Sequence, residues 1–304
     1  MFGDHPKNEA IRFVKAFLTN QYARFAPRSY VRFTRQTGRG EEEGNPCDVA
    51  SYFSSCFYEY FQRLGISEEK ISSFLSGRRL LEYGPGDIPG VALLMVAWGA
   101  EKVFCVDRFP LLRRSEYNQE VLTYLLSGLE GIRYERAASC FEVHGDVSSG
   151  FSPLRIEYVV SDKGTSGLED AINMIYSRAV LEHVHDLDAS FQDMETALIE
   201  GGYAIHKVDL KSHGLHRNNP LDFLAWPESI WNLMYSQKGM PNRWRINKYR
   251  EIIAKTELKL EKLECSGSTD RATVEEIRPR LAKCFKNLPD EDLRCMEFWM
   301  ILRK

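Results

Sequence analysis

Several features are missing from this chain of 304 residues. None of its seven cysteines forms a C-x-x-C pair. That argues against structural zinc or a disulfide framework and for reduced thiols. No apolar run is long enough to span a bilayer, and the N-terminus shows no signal pattern. A cytoplasmic protein with no membrane partner is expected. Neither charge dominates: the net charge is −3, so there is no bulk attraction to nucleic acid. There is no internal repeat. The length allows a large core, in one large or two small domains.

What is present concentrates in residues 80–107. Leu80 and Leu81 open a short buried strand that runs into Glu82-Tyr83-Gly84-Pro85-Gly86. The two glycines let the backbone turn sharply and approach a ligand closely. Pro89 suits the first turn of the next helix, expected over Ile88–Trp98. That helix is apolar on nearly every face, which predicts burial, and Gly99 is its stop. Lys102–Val106 reads as a second strand. Asp107 at its carboxyl end is placed to accept hydrogen bonds from ribose hydroxyls.

A dinucleotide fingerprint needs a third glycine three residues after the second, and Pro89 stands there. Glu82 would also repel a pyrophosphate. Its carboxylate suits a cationic ligand with an ammonium or sulfonium group. S-adenosylmethionine carries both and has no phosphate. The plain alternative is a strand–turn–helix with no ligand. The acid, both glycines and Asp107 in one ordered unit favour a ligand.

These residues resemble the motifs of class I S-adenosylmethionine-dependent methyltransferases of small-molecule type. Glu82–Gly86 matches the first motif, with Ile88 where a further glycine is common. Asp107 matches the second. Asn173–Val184, ending Leu181-Glu182-His183-Val184, resembles the fourth-strand motif. Leu198–His206, containing Gly201-Gly202, resembles the fifth. The resemblance covers about residues 79–304. It implies an α/β, Rossmann-like, seven-stranded, mostly parallel sheet with an antiparallel last strand and helices on both faces. It also implies S-adenosyl-L-methionine as cofactor, held by Glu82, Gly84, Pro85, Gly86, Asp107, Arg108, Ser177, Arg178 and an acid after the third strand. Asp162, following the apolar run Ile156–Val160, is the preferred acid, and Asp146 is its rival.

Residues 1–78 read as an N-terminal helical extension or lid ahead of the main domain. Ile11–Tyr22 has roughly helical spacing, and 35–47 reads as a loop. Asp48 is expected to cap an amphipathic helix with Val49, Tyr52, Phe53, Cys56, Phe57, Tyr60 and Phe61 on one face. Core packing is that stripe's plain role, and a lid over the cofactor is the functional one. Further helices are expected over Leu111–Leu126, Leu187–Glu200 and Arg245–Leu258. Strands are expected over Tyr203–Leu210, Lys259–Glu264 and Met296–Leu302. Insertions are expected near 130–155 and 211–243. The second is rich in histidine and tryptophan and suits an acceptor pocket as well as it suits plain packing.

Methyl transfer is an in-line displacement, so the protein must hold donor and acceptor in line and exclude water. An oxygen acceptor also loses a proton, which a base assists. His183, His206 and His213 are the candidate bases, near the ends of the fourth and fifth strands. His206 and Asp209 lie at odd separation on a strand and face opposite sides. No residue is assigned to a metal, because nothing in the spacing demands one. Asn242-Arg243-Trp244-Arg245 with Lys248 and Arg250 reads as a solvated basic face or as a site for an anionic acceptor.

The leading reading is methyl transfer to a small-molecule or sugar acceptor, at oxygen, with no nucleic-acid partner. A nicotinamide-dependent oxidoreductase is the alternative enzyme, opposed by Pro89 and Glu82. A non-catalytic methyltransferase-like binding module is the third, opposed by the intact turn and Asp107. The Asn/Asp-Pro-Pro-aromatic motif of base-methylating enzymes is replaced by Ser177-Arg178-Ala179-Val180.

Overall fold

The computed structural model describes residues 6–34 and 44–304. The loop expected at 35–47 therefore lies mostly outside the described residues. The chain begins with helices α1 (Pro6–Phe25), α2 (Pro27–Thr34), α3 (Pro46–Arg63) and α4 (Glu68–Leu75). Then follow β1 (Arg79–Tyr83), α5 (Gly90–Ala97), β2 (Lys102–Asp107), α6 (Glu116–Ser127), α7 (Gly131–Ala138), β3 (Ile156–Val160) and β4 (Ile172–Arg178). Next come α8 (Leu187–Ala197), β5 (Leu198–Asp209), α9 (Glu228–Tyr235), α10 (Ile246–Ile253) and β6 (Lys259–Ser268). Helices α11 (Arg271–Ile277) and α12 (Asp290–Arg294) precede β7 (Cys295–Arg303).

The seven strands form one sheet in the order β3-β2-β1-β4-β5-β7-β6. β7 alone runs against its neighbours β5 and β6, and the other pairings are parallel. Near-continuous apolar runs such as Leu80–Leu81 and Val103–Val106 explain the parallel part. Strands covered on both faces have no side to leave polar. On one face α3, α5, α6 and α7 bury Phe57, Tyr60, Leu93 and Leu122 against Tyr176 and Ile205. On the other, α8 and α10 pack Phe191 and Tyr249 against Ile175 and Val208. This is the Rossmann-like architecture implied by the motifs.

The stripe on α3 is core: Phe53, Cys56, Phe57, Tyr60 and Phe61 are buried, while Tyr52 stays exposed. Its cap is Asn45 and not Asp48. Asn45 Oδ1 accepts the Asp48 amide at 3.0 Å, and Pro46 starts the helix. Other boundaries move for similar local reasons. Pro89 sits just before α5 as its cap residue. α6 starts at Glu116, not Leu111, because Ser115 Oγ accepts the Asn118 amide. The region 130–155 contains α7, which packs on α5. α8 ends at Ala197 and β5 begins at once, so Gly201, at φ +74°, serves a kink within the strand. α10 is shorter than expected, spanning Ile246–Ile253.

One part was not foreseen. The segments between β5 and α10 and between β6 and β7 pack on each other. Leu221, Phe223 and Trp231 meet Val274, Ile277 and Leu293 in a separate small core. α1 lies against α9 on this annex. No helix among the described residues is long and apolar enough to cross a membrane.

Candidate active site

The carboxyl ends of the parallel strands lie side by side, and two acidic centres form there. The first belongs to β1 and β2, which pair through Glu82 with Cys105 and Tyr83 with Val106. Gly84 and Gly86 take φ of +65° and +71°, a left-handed backbone that glycine adopts without strain. A Cβ on Gly84 would run into the Val180 side chain, so the turn presses directly on the segment after β4.

Glu82 is buried beneath this turn. Its Oε2 accepts from Tyr176 Oη at 3.2 Å and from the Cys105 thiol at 3.7 Å. Burial pushes its pKa up to about 8, with Asp107 adding to the rise. Asp107 accepts the Phe109 amide at 2.9 Å, and burial lifts its pKa to about 6. Neither carboxylate has a lysine or arginine partner among the described residues. Two buried acids without a counter-ion form a site for a cation and repel a phosphate. Burial thus favours the protonated form of Glu82 until a cation sits beside it.

Asp162 follows β3, whose last residue Val160 is level with Asp107, and its charge acts on Arg108. Asp146 spends its carboxylate on the Ser148 amide and hydroxyl, in a turn of its own. Arg108 donates to Gln237 Oε1 at 3.2 Å. Two proposed cofactor residues point elsewhere. Ser177 Oγ lies 2.7 Å from His206 Nδ1 inside the sheet, and Arg178 pairs with Glu59 of α3.

The second centre follows β4 and β5. Glu182 and His183 lie in a single 3-10 turn, Leu181–His183. His213 comes from the loop after β5, at φ +50°. The His183 and His213 rings meet edge-to-face at 4.8 Å, and His183 Nε2 is 3.8 Å from Glu182 Oε1. One donor atom from each of the three residues lies within 4.8 Å of the others. Glu182 is 1% exposed, and neither of its oxygens has a side-chain hydrogen-bond partner. The backbone amides of Glu182 and Asp209 face it. Burial raises Glu182 well above the usual carboxylate range. Burial, with His213 alongside, presses His183 down to about 3. His206 is fully buried beside Ser177 and stands apart from this cluster. The structure thus brings His183 and His213 together and leaves His206 out.

Asn242 holds the turn. Its Nδ2 donates to the carbonyls of Leu181 and Val184 at 2.8 and 3.0 Å, and its amide donates to Glu182 O. Arg243 and Arg245 form no basic face. Arg243 donates to the carbonyls of Phe223 and Trp226. Arg245 is buried and donates to those of Leu210, Leu293 and Cys295. These side chains anchor the annex to the sheet. Between them opens a cleft of about 490 Å³, lined by His183, His185, Asn232, Arg243 and Lys248 among others. That volume suits a small organic molecule.

The match to known families agrees with this geometry. A family model described as "Methyltransferase domain" matches residues 52–262, and the chain belongs to that family. It is an S-adenosylmethionine-dependent methyltransferase. No curated protein matches it in sequence. Similar solved structures include an S-adenosylmethionine-dependent methyltransferase from Mesorhizobium loti. It is 17% identical at a TM-score of 0.41, covering 76% of this chain and 92% of that one. Another is phosphoethanolamine N-methyltransferase 2 of Haemonchus contortus, 16% identical at a TM-score of 0.39, covering 75% and 48%.

Proposed function

We propose that this methyltransferase acts on a hydroxyl oxygen of a small-molecule or sugar acceptor, with His183 taking the acceptor's proton. The observation that carries the reading is the Glu182–His183–His213 cluster beside the cleft. When bound, S-adenosylmethionine supplies a methyl already activated by its sulfonium. The Gly84–Pro85–Gly86 turn, Glu82, Asp107, Arg108 and Asp162 would hold it. Two buried acids lacking a counter-ion fit its cationic groups.

The rest falls to the chain's own side chains. Asn242 fixes the turn that carries Glu182 and His183, which keeps the base in one place. Burial keeps His183 neutral and able to accept a proton, but makes it a weak base alone. Glu182, 3.8 Å away and itself held toward its protonated form by burial, would offset that only once ionised, since opposite charges at this range favour each other's ionised form. His213 limits the ring's freedom from the other side. The α1–α2 segment would cover the cofactor edge, because Val31 packs with Phe109 and Leu111 just after Asp107. A reducing, cytoplasmic setting belongs to the same reading, since all seven cysteines are free.

The test is mass spectrometry of products from a panel of sugar, phenol and amine acceptors, with and without a chelator. Oxygen methylation that persists under chelation and falls in His183→Ala supports the proposal. Methylation of nitrogen overturns the oxygen assignment. Loss of oxygen methylation on chelation overturns the histidine base and gives the cluster to a metal.

A further inference from the structure

Helix α1 has a docked face and an exposed apolar one. Ala16, Asn20 and Ala23 form one, buried against α9. There Asn20 donates to the carbonyls of Asn232 and Leu233 and accepts the Gln237 amide, while the buried Lys238 Nζ donates to Ala16 O. Ile11, Val14, Leu18, Tyr22 and Phe25 form the other. At about 100° per residue they centre roughly opposite the docked face. They are exposed: 64% for Ile11, 59% for Leu18 and 76% for Phe25. Phe33 of α2, 79% exposed, joins them through an edge contact with Tyr22 at 6.5 Å between ring centres. Scattered exposed apolar residues are ordinary, but a contiguous stripe of this kind marks a contact surface.

Charge narrows what that contact is. Between Ala10 and Thr34 the sequence has Arg12, Lys15, Arg24, Arg28 and Arg32 and no acid, in a chain whose net charge is −3. All five cations are exposed; Lys15 lies beside the stripe, Arg24 sits over the Phe25 ring, and Arg12 lies nearer the annex. The 3-4-4-3 spacing of the α1 stripe would also serve a helical seam between two copies. Such a seam would bring Lys15 and Arg24 of both copies together with no acid to pair them, which disfavours it. A ridge of aliphatic and aromatic side chains rimmed by cations suits a flat anionic surface. The apolar residues enter the interface, and the cations meet phosphate groups.

We propose that the exposed face of α1 and α2 docks this enzyme on anionic lipid membranes. No helix among the described residues is long and apolar enough to cross a bilayer, and α1 and α2 would lie on its surface. α1 is fastened to Asn232 and Ser236, both in the wall of the 490 Å³ cleft, so docking would bring that cleft near the lipid surface.

The test is co-sedimentation of the full chain with vesicles of equal parts phosphatidylglycerol and phosphatidylcholine, and with phosphatidylcholine alone. Partition onto the anionic vesicles should exceed that onto the neutral ones by roughly tenfold or more, and should fall with added salt. Leu18→Asp with Phe25→Asp, and separately Arg24→Glu with Arg28→Glu, should each remove most of it. The melting temperature without ligand should stay within a few degrees of the parent in both variants, which shows that the fold survives. Absence of binding, or equal binding to neutral vesicles, overturns the proposal. So does a dimer in sedimentation that the Leu18→Asp, Phe25→Asp variant separates while vesicles are ignored. So does retention on immobilised polyglutamate without vesicle binding. Acceptor chemistry plays no part in these readouts, so they stand apart from the proposed reaction.

Discussion

The two acidic centres at the carboxyl edge are built in opposite ways. Glu82 and Asp107 come from one strand–turn–helix–strand unit, and they are satisfied by its own backbone and the Cys105 thiol together with the Tyr176 hydroxyl of β4. Glu182, His183 and His213 come from two connections and are held by Asn242 from a third. The first centre needs little beyond its own unit. The second depends on an annex that Arg243 and Arg245 tie to the sheet. The difference separates binding from reaction: damage to one centre should leave much of the other intact.

The sharpest test of that separation is His183→Ala. Loss of a general base should lower turnover by about 10²–10⁴-fold, while the Kd for S-adenosylhomocysteine by calorimetry stays within about twofold. A comparable loss in cofactor affinity would merge the two centres into one. Next in size is Arg245→Leu. Three buried carbonyls lose a charged donor. The expected cost is about 2–4 kcal/mol in denaturant unfolding, with the annex affected most. Asp107→Ala should weaken cofactor binding by roughly tenfold and leave turnover at saturating cofactor nearly unchanged. If it left affinity unaltered, the role given to the end of β2 would be wrong.

The smallest effect is a proton. Glu82 titrates near pH 8 in the free protein. A cation bound beside it favours the ionised form, so S-adenosylmethionine binding at pH 7 should release part of a proton. Calorimetry in two buffers of different ionisation heat would detect the release, and Glu82→Gln should abolish it. The sign for stability follows from the same shift. Folded Glu82 keeps its proton above the unfolded pKa of about 4.5, so its contribution to stability is full below that pH and fades as pH rises toward 8. His183 and His206 act in reverse. Both are pressed down to about 3, so their contribution is full above about 6.5 and is lost as pH falls. A pH series of unfolding curves should therefore show the ligand-free protein weakened at both ends.

The strand–turn–helix–strand unit carrying Glu82 and Asp107 was legible because its parts are contiguous and each has a distinctive requirement. Gly84 and Gly86 are needed for the turn, and an acid is needed at each of two strand ends. The fourth-strand ending, Glu182-His183, was legible for the same reason. The acceptor half was less so. His206 and His213 look alike in sequence, and only the register of β5 sends one into the sheet while a loop carries the other outward. Arg243 and Arg245 read as a charged surface because nothing local reveals that Phe223, Leu293 and Cys295 will offer them carbonyls. The segment between β6 and β7 went unremarked, since its partners lie more than about forty residues earlier in the annex. Asp48 reads as the cap because 35–47, rich in Gly, Glu and Thr, reads as a loop. In fact Pro46 is the kind of residue a helix accepts at its first position.

The place of β7 in the sheet has a consequence for how the molecule is made. β6 leaves the ribosome before β7, yet β7 is its sole sheet neighbour and also covers the edge of β5. Until Cys295–Arg303 has been synthesised, both strands have open edges and Arg245 lacks the Cys295 carbonyl. Strands β1 to β4, with the glycine turn, need none of this. A nascent chain can therefore own its cofactor centre while its acceptor centre is still without form.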